Sequence, residues 1–462
     1  TESKPTSSRD ESSIQSFMGR LTYAFDDRYS VTFTGRSDEA SVFSDNNKRA
    51  FFPSAGFAWN ISNEDFLKDS DIISNLKLRG GYGEVGNAAI GPYQTLSRLE
   101  TGNDFSFSGT NVNTGLALST QAPNPNLKWE TTASYNVGVE LSMYNGRINF
   151  TGDYYNKTTS DLLLNRALNQ ASGFQSQLVN AGKVENKGVE FSLSLTPVRN
   201  ENFNWNSDIV FTKNTNKVLA LNDGETELRL GGAGLPGHSD AVWLEVGQPI
   251  GLIRGMQYDG VWSADEALLA AVYGQTPGSP KYVDHNNDGV FGLGGDAVNI
   301  GNAQPDFTYS WNNTFTYKDF SLNIFAVGVQ GNDIYNLGRS LIEGGDGLSA
   351  ANLNVWTPNN QNTNIPAHNA VGGFRNSSRW IEDGSYFRIK NITLGYSFPK
   401  DLSEKIGIKS CRIYATGTNL FTFTNYSGFD PESSSGVDTF AGIDLATYPS
   451  QKQYTLGIDL KF

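Results

Sequence analysis

The chain has 462 residues, 12% of them aromatic and 49 of them glycine, and its 35 basic against 48 acidic residues give a formal net charge of −13. That sign, with no basic patch along the sequence, argues against nucleic acid as a partner, and a single cysteine, Cys411, excludes an internal disulfide framework and a zinc site built from several thiolates. No run of about 18 apolar residues occurs, so no helix spans a membrane and only a closed β-barrel could carry this chain across one.

Glycine, Tyr, Phe and Trp are spread over the whole length with abundant Asn, Ser and Thr, the usage of short strands joined by turns and loops. Residues 1–12 open the chain as a polar segment without a basic n-region or an apolar h-region. The expectation is that a signal peptide has been removed or that the chain starts partway along a longer one. From residue 13 onward, runs of about ten residues carry apolar side chains at every second position, as a strand does with one face in lipid and the other toward a polar lumen. Leu21/Tyr23/Phe25 begin the series, followed by Ala55/Phe57/Trp59/Ile61, Tyr135/Val137/Val139/Leu141, Val189/Phe191/Leu193/Leu195 and Phe307/Tyr309/Trp311. Intervening positions such as Asn136, Gly138, Glu140 and Ser142 are polar or small. Counting every such run predicts about fourteen strands. One stretch, Ala264 to Tyr273, has helical composition inside a loop.

The connections alternate between two kinds. Phe25-Asp26-Asp27-Arg28-Tyr29, Tyr144-Asn145-Gly146-Arg147 and Tyr317-Lys318-Asp319-Phe320 read as hairpin turns. About Glu84 to Lys128, Asn214 to Pro305, Asn332 to Tyr386 and Asn425 to Ser450 read as long polar loops. Short turns facing the periplasm and long loops facing outward define an all-β transmembrane antiparallel barrel of the outer membrane.

Three local patterns bear on chemistry. GYGEVG at Gly81 to Gly86 has the spacing of a dinucleotide fingerprint, but no helix is signalled after it, so the glycines read as a strand end beside a loop. In DHNNDGVF, Asp284, Asn286 and Asp288 stand at positions 1, 3 and 5 of a calcium-loop pattern, with Gly289 next and the Val290 carbonyl at position 7. Position 12 is Gly295 rather than Glu, and Asp296 follows, so the choice lies between a differently closed Ca²⁺ site and a loop held by Asx-turns alone. At the end of the chain, Tyr454, Leu456, Ile458, Leu460 and Phe462 share one face of a last strand. That face reads both as a closing strand and as an assembly signal for the barrel-insertion (BAM) machinery. His238, His285 and His368 have no metal-ligand spacing, and no nucleophile, zincin or Walker motif is present, so the chain reads as no enzyme.

Several stretches in order along the chain match one family: FFPSAGFAWNISNEDFL (Phe51 to Leu67), NLKLRGGYGEVGN (Asn75 to Asn87), NPNLKWETTASYNVGVE (Asn124 to Glu140), NAGKVENKGVEFSLSL (Asn180 to Leu195), the block SRWIEDGSYFRIKNITLGYSFP around Trp380 to Phe398, and RIYATGTNLFTFTNYSGFDPE (Arg412 to Glu432). From about Ser16 to Phe462 the chain resembles the C-terminal half of SusC-like (SusC/RagA) TonB-dependent transporters. The resemblance implies that residues 13–462 are the later strands of a barrel of about 22 strands filled by an N-terminal plug, and that the plug and TonB-contacting box are absent from this chain. It further implies active import of an oligosaccharide or peptide across the outer membrane of a Bacteroidota-type bacterium, with TonB as the energy source, a SusD-like surface lipoprotein as the outer lid, and a dimer of such pairs. A siderophore or cobalamin receptor, a passive porin or an adhesion barrel, and a barrel enzyme are the rival readings. Loop Asn, Ser, Tyr and Trp suit sugars by hydrogen bonding and stacking.

Overall fold

The computed structural model describes residues 9–107, 110–221, 224–231, 241–344, 350–368, 370, 375–399, 401, 405, 407–432 and 441–462. Residues 1–8 of the expected polar lead, and His238, lie outside the described residues. Among those described, the largest sheet holds thirteen strands that neighbour one another in chain order: β1 (Ile14–Phe25), β2 (Tyr29–Ala40), β3 (Arg49–Asn60), β4 (Ile73–Asn87), β5 (Glu130–Met143), β6 (Ile148–Ser160), β7 (Lys183–Arg199), β8 (Phe203–Ala220), β9 (Phe307–Tyr317), β10 (Phe320–Gln330), β11 (Tyr386–Ser397), β12 (Ser410–Thr424) and β13 (Gln453–Lys461). Each runs 9 to 18 residues, enough for a tilted strand to cross a bilayer.

Turn chemistry sets the register. Asp26 and Asp27 both take left-handed backbone (φ 52° and 49°), and Arg28 N donates to Phe25 O at 3.0 Å. Two consecutive positive φ values give the twist that a two-residue hairpin needs. Tyr144, Asn145 and Gly146 do likewise (φ 51°, 56° and 81°), as does Lys318 (φ 50°). Phe25 then pairs with Tyr29 and Tyr317 with Phe320, which fixes the face that each side chain of the paired strands takes.

The chain clusters into two compact units, residues 1–141, 153–187 and 218–226 in the first and 142–152, 188–217 and 227–462 in the second. In the first, Leu21, Tyr23, Phe25, Phe57, Tyr135 and Val137 are exposed large side chains on one face. The opposite face carries ions: Arg79 contacts Glu140 at 3.0 Å and Asp153 at 2.7 Å, with Lys77 3.9 Å from Glu140. Gly138 leaves them room, since a Cβ there would stand 2.3 Å from Asp153 Oδ1. In the second unit the exposed face holds a row of rings, Phe150–Phe191 at 6.0 Å, Phe191–Phe211 at 6.1 Å and Phe211–Phe307 at 5.4 Å between centroids. Ion pairs on one side and unburied rings on the other are a stable arrangement only if the apolar side meets hydrocarbon.

Three readings of the sequence are adjusted. Strand β8 continues to Ala220, beyond the expected strand end at Asn214, because Asn216 finds a partner: its Oδ1 accepts from Ile250 N at 2.7 Å. Residues 161–182 form a further long connection with its own strand pair, Leu163–Ala167 against Ser176–Asn180. GYGEVG is strand throughout, inside β4. The expected helix is present as a 3₁₀ turn, Ala264–Glu266, running into α1 (Ala267–Val272), with Ser263 and Glu266 forming a capping box.

Candidate functional site

Four connections at one end of the sheet, at residues 26–28, 144–147, 200–202 and 318–319, are tight turns, whereas the longest connections lie at the other end and carry a core of their own. In the first unit that core is Phe43, Phe52, Leu127, Trp129 and Leu178. Trp129 lies 5.5 Å from Phe43 and 5.7 Å from Phe52 and donates its indole N–H to Lys48 O at 2.9 Å. Two asparagines staple the segments around it. Asn124 Nδ2 donates to Leu178 O (2.8 Å); Asn180 accepts from Lys128 N (2.8 Å) and donates to Lys128 O (2.8 Å) and Asp161 O (3.0 Å). The NPNLKW and NAGKVE stretches thus serve to fold a loop.

In the second unit the antiparallel strands Glu227–Gly231, Val242–Glu245, Leu252–Met256 and Ala297–Asn302 form a small sheet. Val242, Ile253, Tyr335, Leu337, Trp380 and Ile443 are packed into one cluster beside it. Helix α2 (Leu337–Gly344) is fixed by charge: Arg339 donates to Glu343 at 2.7 Å and Glu382 at 3.1 Å, while Arg379 pairs with Glu343 and lies over the rings of Tyr258 and Trp380. Glu382 also accepts from Ser427 N and Oγ, both at 2.8 Å. Desolvation works to raise its pKa, but these bonds and Arg339 outweigh it and hold the carboxyl below its ordinary range.

Arg388, on β11 and 3% exposed, forms the most buried ion pair among the described residues of this end. Its guanidinium donates to Thr422 Oγ1 at 2.8 Å and to both Asp430 and Glu432; Lys390 reaches Glu432 at 2.6 Å. Asp430 further accepts from Ser450 N at 2.9 Å and Glu432 N at 3.0 Å. Burial alone would raise the Asp430 pKa; the Arg388 bonds and the two backbone donors bring it down to about 2. These residues bind the 425–452 connection to the wall of the sheet. Nothing in periodicity singles them out; the one sequence signal is that RIKN and FDPE both fall in the stretches that match the family.

The calcium-like loop is ordered around its own carboxylates. Asp284 Oδ2 accepts from Gly289 N at 2.9 Å and Tyr273 OH at 3.3 Å, whereas Oδ1 is buried without a partner. Desolvation raises the Asp284 pKa, and the backbone N–H groups of Gly289, Asn287 and Asp288 more than reverse that. Asn286 Oδ1 accepts from Asp288 N at 3.1 Å, and Asp288 Oδ1 from Val290 N at 2.8 Å. Asp296 is fully buried, its oxygens accepting from His285 N and Gly292 N, both at 2.9 Å. Asn286 Nδ2 donates to Asp288 Oδ2 at 2.8 Å, Asp284 holds the Gly289 turn, and Asp296 ties His285 N to Gly292 N beneath the loop. Phe291 then stacks on Tyr273 at 4.4 Å, joining the loop to the Trp262 and Tyr282 cluster. Among the described residues no group of three or more His, Cys, Asp or Glu is placed to hold a metal. His285 and His368 are exposed.

Strand β13 pairs with β12 in the register Leu456↔Ala415, Ile458↔Ile413 and Leu460↔Cys411. Tyr454, Leu456, Ile458, Leu460 and Phe462 are 78%, 85%, 63%, 45% and 78% exposed, so neither a second sheet nor a helix layer covers them. A soluble sandwich strand would bury that face.

A family described as TonB dependent receptor-like, beta-barrel, matches residues 1–420. The chain belongs to the TonB-dependent receptor β-barrel family. TonB-dependent receptor P3 of Formosa agariphila is 37% identical over 474 residues, covering 99% of this chain and 46% of that protein. TonB-dependent receptor SusC of Bacteroides thetaiotaomicron is 30% identical over 467 residues, covering 97% and 44%. A solved structure described as the RagAB peptide transporter superposes with a TM-score of 0.83 at 28% identity, over 98% of this chain and 48% of that one. The chain therefore spans about half the length of the relatives it matches. It is an outer-membrane β-barrel portion of SusC/RagA type, in a family of receptors and transporters rather than enzymes.

Proposed function

We propose that the protein of which this chain is a part imports an oligosaccharide or peptide too large for porins, driven by TonB and gated outside by a SusD-like lipoprotein, in a dimer of such pairs. The single observation that carries the reading is likeness to SusC and to the RagAB transporter along 97% and 98% of this chain, loops included. Loops built around their own stacked aromatics and buried ion pairs fit a fixed docking surface for a lid and cargo better than the yielding mouth of a passive pore. The outward face contacts outer-membrane lipid, and the Tyr454 to Phe462 face is the segment read by the BAM machinery during insertion.

For the loop of residues 284–296 the reading is a structural Ca²⁺ bound by Asp284, Asn286, Asp288 and the Val290 carbonyl, with Asp296 shaping the loop. The unpartnered Asp284 Oδ1 supports it, and so does the hard, oxygen-only donor set.

Growth on defined oligosaccharides and peptides tests the transport reading, comparing wild type with a strain lacking the full-length gene and one lacking TonB. Loss of growth on one cargo class in both deletions is the expected result; loss in neither sinks it. For the metal, bound calcium measured on full-length protein should be one equivalent per chain and should be lost in Asp284→Asn, and an equal content in both proteins overturns it.

A further inference from the structure

At the long-loop end of the second unit, a groove of about 600 Å³ opens beside the ends of β9, β10, β11 and β12. Tyr309, Phe387 and Phe423 line it, with ring centroids 6.3 Å and 6.1 Å apart. All three belong to the outward, lipid-facing set, and Phe423 is 59% exposed. Gly328 makes the row continuous. It stands opposite both Tyr309 and Phe387, and a Cβ there would meet the Tyr309 ring at 2.2 Å, so the tyrosine leans across the vacant position toward Phe387.

Above the rings the lining changes character. Ser385 Oγ accepts from Gln330 Nε2 at 3.1 Å and Gly331 N at 2.9 Å, its carbonyl accepts from Thr424 Oγ1 at 2.8 Å, and Asn425 is exposed at the rim. Among the described residues, Asp383 is the one charged residue in the lining, and no Lys or Arg lines the groove.

We propose that this groove seats the sugar headgroup of an outer-leaflet glycolipid. The occupant follows from continuity with the lipid interface: the rings extend the apolar belt that hydrocarbon already covers, and they end where headgroups begin. Rings stack on the C–H faces of a sugar, while amide and hydroxyl groups one layer higher meet its hydroxyls. A phosphorylated headgroup is disfavoured, because the carboxylate of Asp383 in the lining has the wrong sign for it. The volume accommodates a headgroup of one or two sugar rings. Tyr386 and Thr422 line the groove on the side toward Arg388, so it sits at the rim where the ring-bearing face ends.

Full-length protein in phosphatidylethanolamine nanodiscs doped with diglucosyl-diacylglycerol tests it, retained lipid being counted by native mass spectrometry. The diglucosyl lipid should be held about fivefold over phosphatidylethanolamine, a ratio in line with one or two aromatic contacts. Phe423→Leu combined with Asn425→Ala, both at exposed positions, should abolish the preference while heat-modifiable migration stays normal. Equal retention by wild type and variant, preference for bis-phosphorylated lipid A, or competition by free maltose at the same concentration would each overturn the assignment. A transport failure with the lipid preference intact would leave this proposal standing and count against the import reading alone.

Discussion

Replacing Asp430 with Asn isolates the contribution of one buried carboxylate to loop order. The Asp430 carboxyl is brought from its ordinary 3.8 down to about 2, and at about 1.4 kcal/mol per pKa unit that difference corresponds to about 2 kcal/mol of stabilisation at neutral pH. A depressed carboxyl contributes fully above its unfolded pKa and loses the contribution as pH falls through the folded one, so the effect should fade between about pH 4 and pH 2. The segment that depends on it is local, because Asp430 ties Ser450 N and Glu432 N to Arg388. Hydrogen exchange on full-length protein in nanodiscs is the assay. In Asp430→Asn the Ser450 amide should exchange about 30-fold faster, the equivalent of about 2 kcal/mol, while amides in the centre of β11 and β12 stay as protected as in wild type. Exchange at Ser450 within about twofold of wild type at neutral pH would mean that the cost of burying the pair cancels its attraction.

Leu456→Arg should destabilise the folded barrel by about 2–4 kcal/mol, and Thr455→Arg, one residue earlier on the polar face, by far less; urea titration of folding into vesicles compares them, and equal effects would refute the assignment of faces. Trp129→Ala should cost about 3–5 kcal/mol of local stability through the cavity it leaves, read as protease cleavage in residues 41–48 or 121–129, where the wild type resists. Deleting Phe462, or replacing it with a charged residue, should lower the yield of folded barrel in the membrane, and unchanged heat-modifiable migration and yield would count against its role in assembly.

The dyad pattern was legible because it repeats a purely local rule: in Tyr454 to Phe462, as in Tyr135 to Leu141, neighbouring side chains point to opposite faces whatever the rest of the chain does. Hairpins were legible for the same reason, since Asp26-Asp27 and Asn145-Gly146 tolerate positive φ and most residues do not. The loop interiors were not. Residues 214–305 and 332–386 read as polar connections, yet they contain a four-stranded sheet, two helices and the Trp380 and Trp262 clusters. Their strands are three to six residues long, too short for a period to stand out from composition.

Sequence by itself determined the fold class, the two faces of each strand, the turns and the family, all of which depend on residue type at fixed short spacing. Only the tertiary structure decided that Arg388 meets Asp430 and Glu432, that Asp296 supports the Asp284 loop from below, and that Tyr309, Phe387 and Phe423 form one row over Gly328. Those partners lie between 11 and 78 positions apart in the chain. Burial and charge pairing are set by where the sheet brings distant segments together, and no local pattern encodes that distance.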